Sequence, residues 1–380
     1  MIAFAKRIQN VEEYYFSKKL AEVRKLDTPE LPVINLGIGS PDQMPSANSI
    51  NALVESAKKP GSHGYQNYKG VPALRQAIAA FSERTYGTRL DTETMILPLM
   101  GSKEGIMHIM MAFVDEGDEV LIPDPGYPTY GSVAKLVGAK VNTYSMPVNV
   151  NELRSKDLSK VKIMWVNYPH MPTGTTASKE ELKQLVDLAR EKKFIIVNDN
   201  PYSLILNNDP QSILAAPNAF EVALELNSLS KSHNMAGWRI GWVAGRADYI
   251  DAVLRVKSNM DSGMFLGLQQ AAIEALNADK TWFESVNKVY AERKVVAEQI
   301  LDLLGCSYSK EQSGLFVWAK APSSVSDIEK WIDEILYSTK VFITPGFIFG
   351  PAGGRHIRIS LCAPVEKLKE AHARLKPFIK

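Results

Sequence analysis

The middle of the chain alternates short apolar runs with amphipathic stretches, and this alternation constrains the fold more than any other feature. The runs Met95–Pro98, Glu119–Ile122, Lys140–Tyr144, Lys162–Asn167, Phe194–Asp199, Ala223–Leu229 and Arg239–Ala244 are rich in Val, Ile and Leu. Several are apolar throughout, as strands covered on both faces are. Helical text separates most of them. Ser178-Lys179-Glu180-Glu181 has the form of a capping box, and the apolar positions Leu182, Leu185, Val186 and Leu188 that follow share one helix face. The alternation predicts an α/β fold with a mostly parallel seven-stranded sheet between helices.

The pattern changes near residue 280. Trp282–Leu304 reads as one long helix ended by Gly305. A strand at Gly314–Ala319, a helix near Ser326–Ser338, a strand at His356–Leu361 and a helix near Val365–Phe378 follow. The segment up to Met44 shows no sheet pattern and is expected to pack on this C-terminal part. A chain of 380 residues is large for one core. The expected division is a large domain over 45–281 and a smaller, discontinuous α+β domain from 1–44 and 282–380.

Bulk properties exclude several roles. A net charge of +2 makes no case for nucleic acid or a membrane surface. Apolar residues at 45% and charged ones at 23% are ordinary for a globular protein. Cys306 and Cys362 cannot form a disulfide framework, and no Cys/His cluster suggests a metal. The start, Met1-Ile2-Ala3-Phe4-Ala5-Lys6-Arg7, lacks the order of a secretion signal. No apolar run approaches the roughly 20 residues of a membrane span. A cytoplasmic setting is expected. Neither a Walker loop nor GxGxxG is present, which disfavours a nucleotide fold.

Ligands of open α/β sheets bind beyond the C-terminal strand ends, so the residues there carry the chemistry. Met100-Gly101-Ser102-Lys103-Glu104-Gly105 offers free backbone N–H groups at a helix start, either a phosphate site or a plain turn. Asp124-Pro125-Gly126-Tyr127-Pro128-Thr129-Tyr130 is a rigid turn presenting Tyr127, which either stacks on a flat ring or packs. Asp199 ends an apolar strand, where a carboxylate needs a partner, and Tyr202 follows three residues later. Asp199 suits a protonated pyridine nitrogen, or else caps a turn. Lys231 lies among Ser228, Ser230 and Arg239 with no acid nearby. An amine there can form a Schiff base, and the serines and arginine can hold a dianion, as pyridoxal 5′-phosphate requires. Arg239 is expected to begin a strand with its fork aimed at the same edge. Arg358 in His356-Ile357-Arg358-Ile359-Ser360-Leu361 either clamps a substrate carboxylate or is an exposed strand arginine.

In this order the motifs resemble the class I aminotransferases, pyridoxal-phosphate enzymes of fold type I, from Leu36 to Leu361. The resemblance implies that the Gly39 backbone approaches the substrate carboxylate. It implies that Tyr65, before Gly70-Val71-Pro72-Ala73-Leu74-Arg75, reaches the phosphate held by a partner subunit, and hence a homodimer with shared sites. Gly101, Ser102 and Lys103 match the phosphate loop, Tyr127 the stacking ring, and Asp199 and Tyr202 the partners of the pyridine nitrogen and O3′. Ser228, Ser230, Lys231 and Arg239 match the Schiff-base signature, and Arg358 the α-carboxylate arginine. Lys257-Ser258-Asn259-Met260-Asp261-Ser262-Gly263-Met264-Phe265 is similar to the diaminopimelate and related branches. So is Arg7-Ile8-Gln9-Asn10 with Tyr14-Tyr15-Phe16. The implied activity is ping-pong transfer of an amino group from an L-amino acid to a 2-oxo acid such as 2-oxoglutarate, with Lys231 moving the proton between Cα and C4′.

One departure stands out in Asn167-Tyr168-Pro169-His170-Met171-Pro172-Thr173-Gly174. Met171 holds the place of an asparagine that bonds O3′ and the substrate carboxylate in the family. A thioether donates nothing, and one lost charge-assisted bond is worth roughly 1.5–3 kcal/mol. Either His170 or a water compensates, or Tyr202 and Arg358 suffice. Two other readings share these residues: a C–S lyase on the same fold, and a non-catalytic binding protein. Arg355, shortly before Arg358, is a further candidate for a side-chain anchor, if the strand has begun there.

Overall fold

A computed structural model describes residues 2–9 and 15–378, so Asn10 and Tyr14 of the N-terminal motif lie outside the described residues. The seven expected strands form one sheet: β1 (Ile96–Leu99), β2 (Glu119–Asp124), β3 (Lys140–Ser145), β4 (Val161–Val166), β5 (Ile195–Asp199), β6 (Ala223–Ser228) and β7 (Gly241–Gly245). Their order is β1-β7-β6-β5-β4-β2-β3. β7 runs antiparallel to both neighbours, and the remaining pairs are parallel. Strand ends fall within two residues of those expected.

Arg239 is the exception that matters. It does not begin β7 but precedes it in a left-handed turn at φ 56°. Strand text cannot show this, because a single left-handed residue leaves no period.

Alternate side chains of the central strands enter opposite layers. Leu97, Val120, Ile163, Trp165, Val197 and Leu224 pack on one side with Ile106 and Ile109. Ile96, Leu121, Met164, Val166 and Ile196 pack on the other with Leu182, Leu185 and Val186 of helix Lys179–Lys192. That helix opens on the expected box: Ser178 Oγ accepts from Glu181 N at 3.2 Å, and Glu181 Oε2 accepts from Ser178 N at 2.7 Å. Such a cap contributes about 1 kcal/mol.

The C-terminal part holds the long helix Lys280–Leu303 and a three-stranded antiparallel sheet of Thr344–Pro345, His356–Ser360 and Phe316–Lys320. The N-terminal segment does carry a strand, Ile34–Asn35, parallel to Val341–Phe342. Two residues are too few to show an alternation. The following turn is tied to the C-terminal part. Ser360 N donates to Leu36 O at 2.7 Å, and Arg293 forms a fork with Asp42 at 2.7 and 2.8 Å. Among the described residues no helix is long and apolar enough to cross a membrane.

Candidate active site

The C-terminal ends of β1, β2, β4, β5 and β6 open on a cavity of about 720 Å³, roofed by helix Tyr15–Leu26 and residues from the C-terminal part. After β1, Gly101 turns the chain into helix Ser102–Phe113 at φ 89°. A Cβ on Gly101 would sit 2.2 Å from Arg239 Nη2, so only glycine admits the guanidinium there. Ser102 and Lys103 line the cavity wall beside Arg239. The first-turn N–H groups and the arginine form an anion cradle. Glu104 braces it: one oxygen accepts from Met100 N at 2.6 Å and the other bonds His108 Nε2 at 2.9 Å. Glu104, His108 and Asp261 bring donor atoms within 4.8 Å of one another. Asp261 is already paired with buried Lys257 at 2.7 Å, which makes this an internal ion network.

Asp199 ends β5 in the cavity wall. Tyr130 donates to its Oδ2 at 2.9 Å, and Tyr130 itself lies flat on Trp165 at 4.9 Å. Oδ1 is buried with no hydrogen-bond partner. Burial pushes the carboxyl up to about 6, against the opposing pull of the Tyr130 hydroxyl and Lys231. A cationic ring N–H would complete this group. Asn167, at the equivalent end of β4, accepts from Met171 N at 2.7 Å and donates to the Asp199 carbonyl.

Lys231 follows β6, with Ser228 and Ser230 beside it. Its Nζ donates to Gly39 O at 2.6 Å. Burial lowers its pKa, and the charges of Arg358 and Arg239 add to the effect. Gly39 must be glycine, since a Cβ would lie 2.3 Å from Phe316 Cζ.

Arg358 is buried, not exposed. Nη2 donates to Gly37 O at 2.9 Å and Nη1 lies 3.3 Å from Met171 Sδ. Its guanidinium is held between the rings of Phe316 and Phe349, at 3.8 and 4.5 Å. Burial draws its pKa down to about 10, so it stays charged at neutral pH. Tyr127 stands edge-on to Tyr130, and Tyr202 edge-on to Phe316. Burial pushes the Tyr202 phenol far above its ordinary range.

Gly39, Gly101, Ser102, Lys103, Tyr127, Met171, Asp199, Tyr202, Ser228, Ser230, Lys231, Arg239 and Arg358 thus gather at one cavity. Three candidates do not. His170 is buried outside the cavity lining, with Nδ1 on Thr173 Oγ1 at 2.8 Å, and burial pulls it down to about 3. It cannot stand in for the residue replaced by Met171. Arg355 donates to the carbonyls of Val325 and Pro322 and is no anchor. Tyr65 is 94% exposed. The sequence reading missed Tyr130, Asn167, Phe316 and Phe349. A polar residue ending an apolar strand, the signal used for Asp199, also applies to Asn167. The aromatic residues have no such signal, since they reach Asp199 and Arg358 only through the tertiary fold.

The donor set fits pyridoxal 5′-phosphate: an unsatisfied buried carboxylate oxygen, a cradle that a Cβ would fill, and an amine of lowered pKa in one cavity. Comparison with known proteins agrees. The family profile described as "Aminotransferase class I and II" matches residues 32–375. An LL-diaminopimelate aminotransferase of Dehalococcoides mccartyi is 38% identical over 387 residues, covering 98% of each chain. The structure of apo-BacF from Bacillus subtilis superposes with a TM-score of 0.95 at 32% identity, covering 100% of this chain and 99% of the other. A Thermus thermophilus aspartate aminotransferase single mutant gives a TM-score of 0.92 at 25% identity, covering 99% and 100%. The resemblance to the diaminopimelate and aspartate branches is borne out. The chain belongs to the class I and II aminotransferases, pyridoxal-phosphate enzymes that pass an amino group from an amino acid to a 2-oxo acid.

Proposed function

We propose that 2-oxoglutarate is the amino acceptor and that Lys231 is both the covalent anchor of the cofactor and the proton carrier. The observation that carries this reading is the buried Lys231 amine, its pKa lowered, in one cavity with the unpartnered Asp199 Oδ1 and with Arg358. When bound, the cofactor supplies an electron sink for the pair left on Cα. Asp199 holds the ring nitrogen protonated, and Tyr130 holds Asp199. Gly101, Ser102, Lys103, Ser228, Ser230 and Arg239 hold the phosphate. Tyr127 covers the ring and Tyr202 donates to its phenolic oxygen. Arg358 takes the α-carboxylate, which orients Cα–H towards Lys231. Once the substrate amine has displaced it, Nζ in its neutral form would take that proton from Cα as base and deliver it as acid to C4′ of the cofactor.

We further propose the division into 45–281 and 1–44 with 282–380. The ties of Leu36 and Asp42 to the C-terminal part support it. A homodimer completes each site through the partner's copy of the Tyr65 loop. Tyr65 is exposed beside the Asp261–Phe265 stretch, where a Cβ on Gly263 would lie 2.5 Å from Gln66 O. Both cysteines are free, in keeping with a cytoplasmic setting.

The test is Lys231→Ala. Amino transfer should fall by more than about 10³-fold with the melting temperature retained. Normal turnover by this variant refutes the role. Release of ammonia or thiol in place of transfer would favour the lyase reading.

A further inference from the structure

The apolar part of the cavity has its own chemistry. Phe16 and Leu20, one turn apart on helix Tyr15–Leu26, line it together with Tyr15. Ile348 and Phe349 line it from the C-terminal part, and the Met171 thioether faces it beside Arg358. Charge is one-sided. Among the described residues lining the cavity, Asp199 is the one acid, while Lys103, Lys231, Arg239 and Arg358 are cations. Asp199 is assigned to the ring nitrogen. The loop that the dimer would bring to this mouth, Tyr65-Gln66-Asn67-Tyr68-Lys69, adds aromatics and hydrogen-bond donors but no carboxylate.

We propose that the amino donor carries a large apolar or aromatic side chain, and that a donor with a second ammonium group is excluded. The inference rests on the aminotransferase reading of this same cavity. Among the described residues lining this part, an ammonium would lose its water and meet rings, a thioether and cations, while the nearby Glu329 carboxylate is engaged by the Tyr15 hydroxyl. An apolar side chain meets the partners it needs. The distal carboxylate of 2-oxoglutarate is not subject to this exclusion, because the wall is positive and the loop offers donors. The relatives named for diaminopimelate, whose substrate has two ammonium groups, therefore do not transfer their substrate to this chain.

The experiment compares L-phenylalanine, L-leucine, LL-diaminopimelate and L-lysine as donors to 2-oxoglutarate with the holoenzyme. The expected kcat/KM for phenylalanine or leucine exceeds that for the two diamines by at least about a hundredfold. Equal or better turnover of LL-diaminopimelate overturns the proposal. Calorimetric titration with the unreactive probes 3-phenylpropanoate and 6-aminohexanoate separates binding from chemistry: the first should bind and the second should not. If no donor passes its nitrogen to 2-oxoglutarate, pyruvate or oxaloacetate, the parent reading fails. The two probes still decide the pocket. Phe16→Ala should raise KM for phenylalanine roughly tenfold more than it raises KM for L-alanine. An equal loss for both donors means that Phe16 shapes the whole site and does not read the side chain.

Discussion

Gly101→Ala should cost both folding stability and cofactor affinity, where the same change at a glycine with free space around it costs stability alone. Two separate effects act at this position. The backbone sits at φ 89° and ψ 154°, a region that is nearly glycine-only. A Cβ there costs about 1–3 kcal/mol in strain. The same Cβ would lie 2.2 Å from Arg239 Nη2 and 2.8 Å from its Cζ, so the guanidinium must leave the cradle. A lost charge-assisted bond to phosphate is worth about 1.5–3 kcal/mol. At about 1.4 kcal/mol per decade, the dissociation constant should rise roughly 10- to 150-fold. Gly87→Ala separates the two effects. Gly87 also has positive φ, at 69°, but a Cβ there meets nothing within 4 Å. That variant should lose about 1–2 kcal/mol of stability and bind cofactor normally. Apoprotein titrated with pyridoxal 5′-phosphate and followed by absorbance gives the affinities, and urea melts give the stabilities. Equal cofactor affinity in Gly101→Ala and wild type would refute the cradle.

Three further outcomes follow from particular contacts. Glu104→Gln should weaken the brace on Met100 N and raise the cofactor dissociation constant about 3- to 10-fold at unchanged melting temperature, with an unaltered titration curve as the contrary result. Met171→Asn should lower KM for L-alanine about 2- to 10-fold by adding an amide donor beside Arg358, and an unchanged KM would mean that Arg358 and Tyr202 suffice. Glu225 is buried on β6, and burial pushes it up to about 7 despite donors from Asn198, Ile213 and Asn227. The folded chain therefore keeps a proton that the unfolded chain releases. This contribution to stability is fully present below about pH 4.5 and is lost as pH rises through about 7. Between pH 5 and 8, urea melts should show wild type losing about 2–3 kcal/mol relative to Glu225→Gln. A constant difference would show that Glu225 ionises freely in the fold.

Most of the cavity wall was legible in sequence because it obeys one rule. Residues placed just past apolar strands face the carboxyl edge of a parallel sheet, so Asp199, Tyr127, Ser102 and Lys231 could be found from strand ends. The rule fails where local text carries no period. Arg239 turns in a left-handed conformation before β7, and Ile34–Asn35 is too short to alternate. His170 and Met171 are adjacent in the chain, yet one is buried outside the cavity and the other touches Arg358.

Sequence alone determined the α/β layering, the strand ends and the amine, carboxylate and arginine around which the site is built. Strand and helix periods are local, and they fix which side chains turn inward. Tertiary structure alone decided how those groups are tuned and which apolar side chains line the cavity with them. Tyr130 reaches Asp199 across 69 positions, Gly39 receives Lys231 across 192, and Gly37 receives Arg358 across 321. Burial, which raises Asp199 and lowers Lys231, and the apolar wall of Phe16, Leu20, Ile348 and Phe349 arise only when distant segments are packed together. Desolvation is a property of the assembled fold, and no stretch of chain carries it by itself.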